Sequence, residues 1–166
     1  MKAMEIIAHI AEATCSFFAS GKKKLDGKLI LSCKERRLDE VKSLLERGAD
    51  VNARDAEGHT PLIIASSVYF AHRPSDDDSF NLVNLLLRYG VEREGEKRIR
   101  VDDRDNKGNT ALIKASRNGA AKIVETLIRA GANVNAKNNE GFTALMRAEK
   151  HGYSETVRIL REHGGH

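Results

Sequence analysis

Tryptophan is absent from this sequence, and the aromatic residues together make up 5% of it. A chain so poor in rings does not build the stacking platforms that hold single-stranded nucleic acids. Cysteine occurs twice, at Cys15 and Cys33, with no C-x-x-C pair. That spacing gives neither a disulfide framework nor a zinc site. No stretch approaches the ~20 apolar residues of a transmembrane helix. Charge of one sign is not in great excess, since 28 basic residues face 24 acidic ones for a formal +4. A nucleic-acid binder concentrates its basic residues in a stripe. Here the only tight basic run is Lys22-Lys23-Lys24, read as a solvated connection over Gly21 to Gly27. Neither nucleic acid nor membrane is therefore an expected partner. G-x-S-x-G, the Walker loop and G-x-G-x-x-G are all missing, and none of the six histidines pairs at i, i+4 across an acidic residue. No catalytic, cofactor-binding or metal-ligating residue is predicted, and the protein is not expected to be an enzyme.

What the sequence does hold is a unit and its copies. From Asp105 to Lys137 it reads DNKGNTALIKASRNGAAKIVETLIRAGANVNAK. Turn-forming residues open it at Asp105 to Gly108. Thr110 is placed to cap a short helix carrying Ala111, Leu112 and Ala115. Asn118-Gly119 breaks that helix. A second helix follows with Ile123, Val124, Leu127 and Ile128 at helical spacing, and Gly131 ends it as a left-handed cap. One such unit buries too little apolar surface to fold alone and needs neighbours like itself.

The next unit repeats the landmarks. Gly108, Thr110, Gly119 and Gly131 recur as Gly141, Thr143, Gly152 and Gly164, each 33 residues on. Upstream, Asp55 to Ala65 reads DAEGHTPLIIA, and Leu44 to Ala53 resembles the end of a fourth unit. The 33-residue period and the similarity to D-x-x-G-x-T-P-L-H-x-A mark a resemblance to the ankyrin-repeat family over roughly 140 residues. The sequence departs from that pattern at the histidine, replaced by Ile63, Ile113 and Met146.

The resemblance implies an all-α solenoid of four helix–turn–helix repeats with β-hairpin fingers. The boundaries expected are 26–54, 55–104, 105–137 and 138–166, the last serving as a C-terminal cap. It also implies that Cys33 is a small, packed, free thiol. Residues 1–20 have apolar residues at helical spacing and leave two readings open. One is a helix that caps the first repeat of a cytoplasmic protein. The other is a targeting segment, which would place the protein in the periplasm or outside the cell; Glu5, His9 and Glu12 interrupt its apolar stretch.

Repeat two is expected to carry two insertions. Thr60 to Gly90 spans 30 residues where Thr110 to Gly131 spans 21, which places nine extra residues within Val68 to Phe80. Pro74 should stop any helix before it, and Ser75 or Asp76 should cap the next. Asp76, Asp77 and Asp78 then favour the positive end of that helix. The alternative, a cation site, needs a loop shaped to converge three adjacent carboxylates. The second insertion adds eight residues between Gly90 and Gly108, with strand-like alternation over Arg98 to Val101.

The function that the resemblance implies is non-catalytic binding of another protein by a monomer, through a concave face and the fingers. Alternatives are an inhibitor, immunity or host-directed effector role, since Thr143 to Ala148 looks like small bacterial members of the family, or an enzyme or metal site hidden on the fold. Carried over by position, the candidate contact residues are Arg54, Ala56, Glu57 and His59, with Ser67 and Val68, in the second unit. In the third they are Arg104, Asn106, Lys107, Asn109, Arg117 and Asn118. In the fourth they are Lys137, Asn139, Glu140, Phe142, Lys150 and His151. Phe142 stands out as an aromatic at a turn position, and exposed aromatics are enriched among interface hot spots. Packing on the neighbouring finger is the other reading for it.

Overall fold

The computed structural model describes residues 21–67, 76–90 and 99–166. Eight helices follow one another among these residues. They are α1 (residues 21–34), then α2 (Leu38–Glu46), α3 (Pro61–Ser66), α4 (Asp76–Tyr89), α5 (Ala111–Arg117), α6 (Ala121–Arg129), α7 (Ala144–His151) and α8 (Ser154–Glu162). Consecutive helices pair as α3 with α4, α5 with α6 and α7 with α8. The short helices α3, α5 and α7 pack in one row, and α2, α4, α6 and α8 in a second. This is two-layer stacking in which each pair touches only its neighbours.

The short row is started by threonines. Thr60, Thr110 and Thr143 are extended N-caps whose Oγ1 accepts from the backbone N–H three residues on, in each case at 3.3 Å. Pro61 fills the first helical position of α3, where a missing N–H leaves nothing unpaired. The long row is ended by glycines. After α6, the Gly131 N–H bonds the Ile128 carbonyl and the Ala132 N–H bonds that of Leu127, at 2.9 and 3.0 Å. Gly131 has φ 88°, the left-handed turn this motif needs. The same pair of bonds closes α2 at Gly48 and α8 at Gly164.

Between the rows runs one apolar core. Val41, Leu44 and Leu45 of α2, Leu82 and Leu86 of α4, Ile123 and Leu127 of α6, and Leu160 of α8 are buried against Leu62, Ile63, Leu112 and Ile113 of the short row. Their spacing of three and four residues is the stripe that a helix lays against a core. Cys33 is fully buried, and burial pushes its thiol up to about 12, as for a thiol packed into the core.

Three expectations are corrected. Residues 21–27, read as a connection, lie within α1. The lysines there are good helix formers, and Leu25, packed against the core, with the fully buried Leu29, gives that stretch an apolar anchor that tolerates Gly27 in the helix. No strand occurs among the described residues; the segments expected to be β-hairpin fingers are built of turns. The strand expected over 98–101 fails for the same reason where it is described. Ile99 is buried, but the Arg100 backbone N–H donates to a side chain, Asn52 Oδ1 at 2.9 Å, and Val101 already turns. The proposed helix over 1–20, the Pro74 stop, the Ser75 cap and most of both insertions lie outside the described residues.

Leu127 is fully buried. Truncating it to alanine should cost about 2–5 kcal/mol, the range for buried leucines. Urea denaturation followed by circular dichroism should show the midpoint falling accordingly.

Candidate functional site

Three equivalent turns, each followed by a short helix, form the projecting edge of the array. They run from Asp55 to Thr60, Asp105 to Thr110, and Asn138 to Thr143. Each is organised by the side chain of its first residue. Asp55 Oδ1 accepts from the backbone N–H of Glu57 and His59 at 3.1 and 2.8 Å. Asp105 Oδ1 accepts from Lys107 and Asn109 at 2.9 and 2.8 Å. Asn138 Oδ1 accepts from Glu140 and Phe142 at 3.0 and 2.9 Å. Asp and Asn serve equally because the acceptor is one carbonyl-type oxygen at short reach from the following backbone.

The turns are bonded to one another. The Asn106 N–H donates to the Glu57 carbonyl at 2.9 Å, and the Asn139 N–H to that of Lys107 at 3.1 Å. Asn106 Nδ2 reaches the Ala56 carbonyl, and Asn139 Nδ2 that of Asn106. This close stacking explains Gly58 and Gly108. Both have positive φ, and a Cβ on either would lie within 3.0 Å of the backbone nitrogen of Asn106 or Asn139. Arginines make a parallel rail. Arg54 donates to the Arg104 carbonyl at 2.6 Å, and Arg104 to that of Lys137.

Polar side chains continue the link inward. Lys34 Nζ lies 3.0 Å from Asp55 Oδ2. The His59 ring sits between two carboxylates, with Nδ1 3.2 Å from Asp55 and Nε2 3.6 Å from Asp105. Lys114 Nζ lies 3.0 Å from Asp105, and Asn109 Nδ2 also donates to that carboxylate. Asn138 Nδ2 then donates to Asn109 Oδ1 at 2.9 Å. Burial alone would raise the Asp105 carboxyl. The bonds from Asn109 and Lys114 outweigh it, so its pKa lies below its ordinary 3.8. Burial also raises Asp55, and the bonds from Lys34 and His59 outweigh it in the same way.

Most of the predicted contact residues fall on this edge, but they divide into two kinds. Glu57, Lys107, Lys137, Glu140, Arg117, Lys150 and His151 are exposed, and Asn118 is half-buried at the end of α5. His59 and Asn109 turn inward; Asn109 is only 9% exposed and spent on Asp105 and Asn138, which removes it from the contact surface. Arg54, Arg104, Asn106 and Asn139 are wholly or partly committed to holding the next turn. Phe142 is half-buried, with cations of its own helix over its ring. Arg147 Cζ stands 4.0 Å from its ring centroid and Lys150 Nζ 5.6 Å. Val68 lies outside the described residues.

Sequence reasoning missed Arg36, Lys34 and Lys114. Arg36 has φ 58° and donates to the carbonyls of Cys33, Ile64 and Ser67, tying the end of α1 to that of α3. A signal for Lys114 was available, since Arg147 stands 33 residues on. Asp55, Glu57 and His59 bring one ligand-type atom each within 4.8 Å of one another. The Lys34 ammonium already supplies the positive charge at Asp55, so the cluster has a structural explanation as an ion-paired turn.

Comparison with known proteins matches residues 68–166 to a family model described as ankyrin repeats (3 copies), and residues 29–65 to one described as ankyrin repeats (many copies). B-cell lymphoma 3 protein homolog of Mus musculus is 37% identical over 91 residues, 54% of this chain and 16% of that protein. Protein fem-1 homolog A-like of Mus musculus is 35% identical over 101 residues, 61% of this chain and 13% of that protein. Neurogenic locus Notch protein of Drosophila melanogaster is 32% identical over 130 residues, 78% of this chain and 4% of that protein. The chain thus spans a small part of the length of each of these relatives.

Asp105→Asn should separate charge from turn geometry, because Asn138 builds the same turn one repeat on. The carboxyl's pKa is depressed in the fold, so its contribution is present at neutral pH and lost as the pH falls below about 4. The variant should melt below the wild type at pH 7, and the gap should close in acid. Thermal melts over a pH series check this.

Proposed function

Because the chain belongs to the ankyrin-repeat family, we propose that it is a non-catalytic module that binds another protein on the face formed by its turns and by α3, α5 and α7. Ankyrin repeats are generally protein–protein interaction modules, and stacked repeats offer extended concave surfaces. We read the helix pairs as four repeats, with the projecting turns serving as fingers. The observation that carries the proposal is a division of labour along this edge. One set of side chains, His59, Asp105, Asn109 and the arginine rail, bonds turn to turn. A second set at register-equivalent positions, Lys107 with Glu140 and Arg117 with Lys150, stays exposed. A rigid backbone that presents exposed side chains in rows is suited to recognition with little ordering cost.

Among the described residues, two groups of the kind enzymes use have structural roles. The buried carboxylate Asp105 is paired with Lys114, and the buried thiol of Cys33 is held protonated. Among the described residues no helix is long and apolar enough to cross a membrane.

Using the protein as bait in its native cell, Phe142→Ala and Lys107→Glu should each reduce capture of the partner, read by mass spectrometry. Lys122→Glu, on the long-helix row, should not. Melting curves should stay unchanged for Lys107→Glu and Lys122→Glu, which alter exposed side chains. Equal capture by all three variants would place the partner elsewhere.

A further inference from the structure

The charge on this face is uneven, and it specifies the partner's chemistry. Residues 104–118 and 137–151 hold the turn and short helix of two successive repeats. They contain seven Lys and Arg against three Asp and Glu. The remainders of those repeats, residues 119–136 and 152–166, contain four against three. The excess on the inner segments alone equals the +4 of the whole chain.

The three inner carboxylates are already neutralised. Asp105 is paired with Lys114 at 3.0 Å, Glu140 with Arg147 at 2.9 Å, and Glu149 with Arg161 at 2.8 Å. In contrast, Lys107, Arg117, Lys137 and Lys150 are exposed and make no ion pair among the described residues. Arg117 and Lys150 hold the same position in α5 and α7. Each lies three residues beyond a cation of its own helix, Lys114 or Arg147, and so on the same helix face. Adjacent packed helices stand about 8–10 Å apart. An extended chain rises about 3.3 Å per residue, so it advances one repeat in roughly three residues. Beside this row lies the Phe142 ring, an apolar surface bordered by Arg147 and Lys150.

Resting on the protein-binding reading above, we propose that this face takes an extended acidic peptide segment of the partner, with carboxylates three residues apart over Arg117 and Lys150 and an apolar side chain against Phe142. Nucleic acid fits less well. Phe142 is half-buried under Arg147, so among the described residues the face lacks exposed aromatic rings on which successive bases would stack.

The test is fluorescence anisotropy with a labelled peptide repeating Glu-Ser-Gly, its Lys-Ser-Gly counterpart, and oligothymidine. The Glu peptide should bind saturably below about 1 mM at low salt, a threshold within weak-complex affinities. Binding should weaken at higher salt, and the Lys peptide should not bind. Arg117→Glu combined with Lys150→Glu should reduce binding of the Glu peptide at least ~10-fold, about 1.4 kcal/mol. Arg117→Gln with Lys150→Gln should give an intermediate loss, and both pairs should keep the wild-type melting curve. No saturable binding, equal binding by the charge-reversed protein, or tighter binding of oligothymidine would each overturn the proposal. Capture of the native partner separates the two readings. A partner lost with Phe142→Ala but kept with the charge-reversed pair leaves the face standing and removes the acidic ligand. A partner kept by both removes both.

Discussion

The rest of this structure depends on a single oxygen at the start of each turn. Asp55, Asp105 and Asn138 each use Oδ1 to collect two backbone N–H groups. That fixes the turn, and the turn fixes where the threonine cap sits and hence where the short helix begins. Backbone donors in a tight turn have no helix or sheet partner, and leaving them unpaired under a neighbouring turn would be costly. The side-chain oxygen removes that cost and lets one turn lie directly on the next.

Stacking of turns then sets what the surface can present. Gly58 and Gly108 allow contact so close that a β-carbon would not fit, and Asn106 and Asn139 bond across it. His59 and Asn109 are drawn inside by the carboxylates and amide of the following turn. Side chains at the tips and at the ends of the short helices have no such neighbour. Rigidity and availability are therefore assigned by the same geometry, and the basic rows on α5 and α7 follow from it without any dedicated loop.

The fold was largely legible because its signals are local and repeated. The Thr caps, Pro61, the helix-ending glycines and the apolar stripe of α6 each act over four or five residues, and the 33-residue period places them in register. Less of the site was legible. Phe142 was singled out as an aromatic at a turn position, and its place under Arg147 depends on the next helix turn. Asn109 looked like a surface residue, yet its neighbour Asn138 lies 29 residues away and buries it. The helical start of α1 was missed because its three adjacent lysines resemble a solvated turn, while Leu25 and Leu29 supply the packing that settles it.

By itself the sequence determined the repeat, its period and the capping chemistry. All of these are written in residues close together or at fixed spacing. Only the tertiary structure decided which polar side chains join the turns and which stay free. That choice rests on contacts between successive repeats, such as Lys34 with Asp55, His59 with Asp105 and Arg104 with the Lys137 carbonyl. Such pairs cross from one unit to the next, and a charged residue in sequence carries no mark of whether its partner is water or the neighbouring turn.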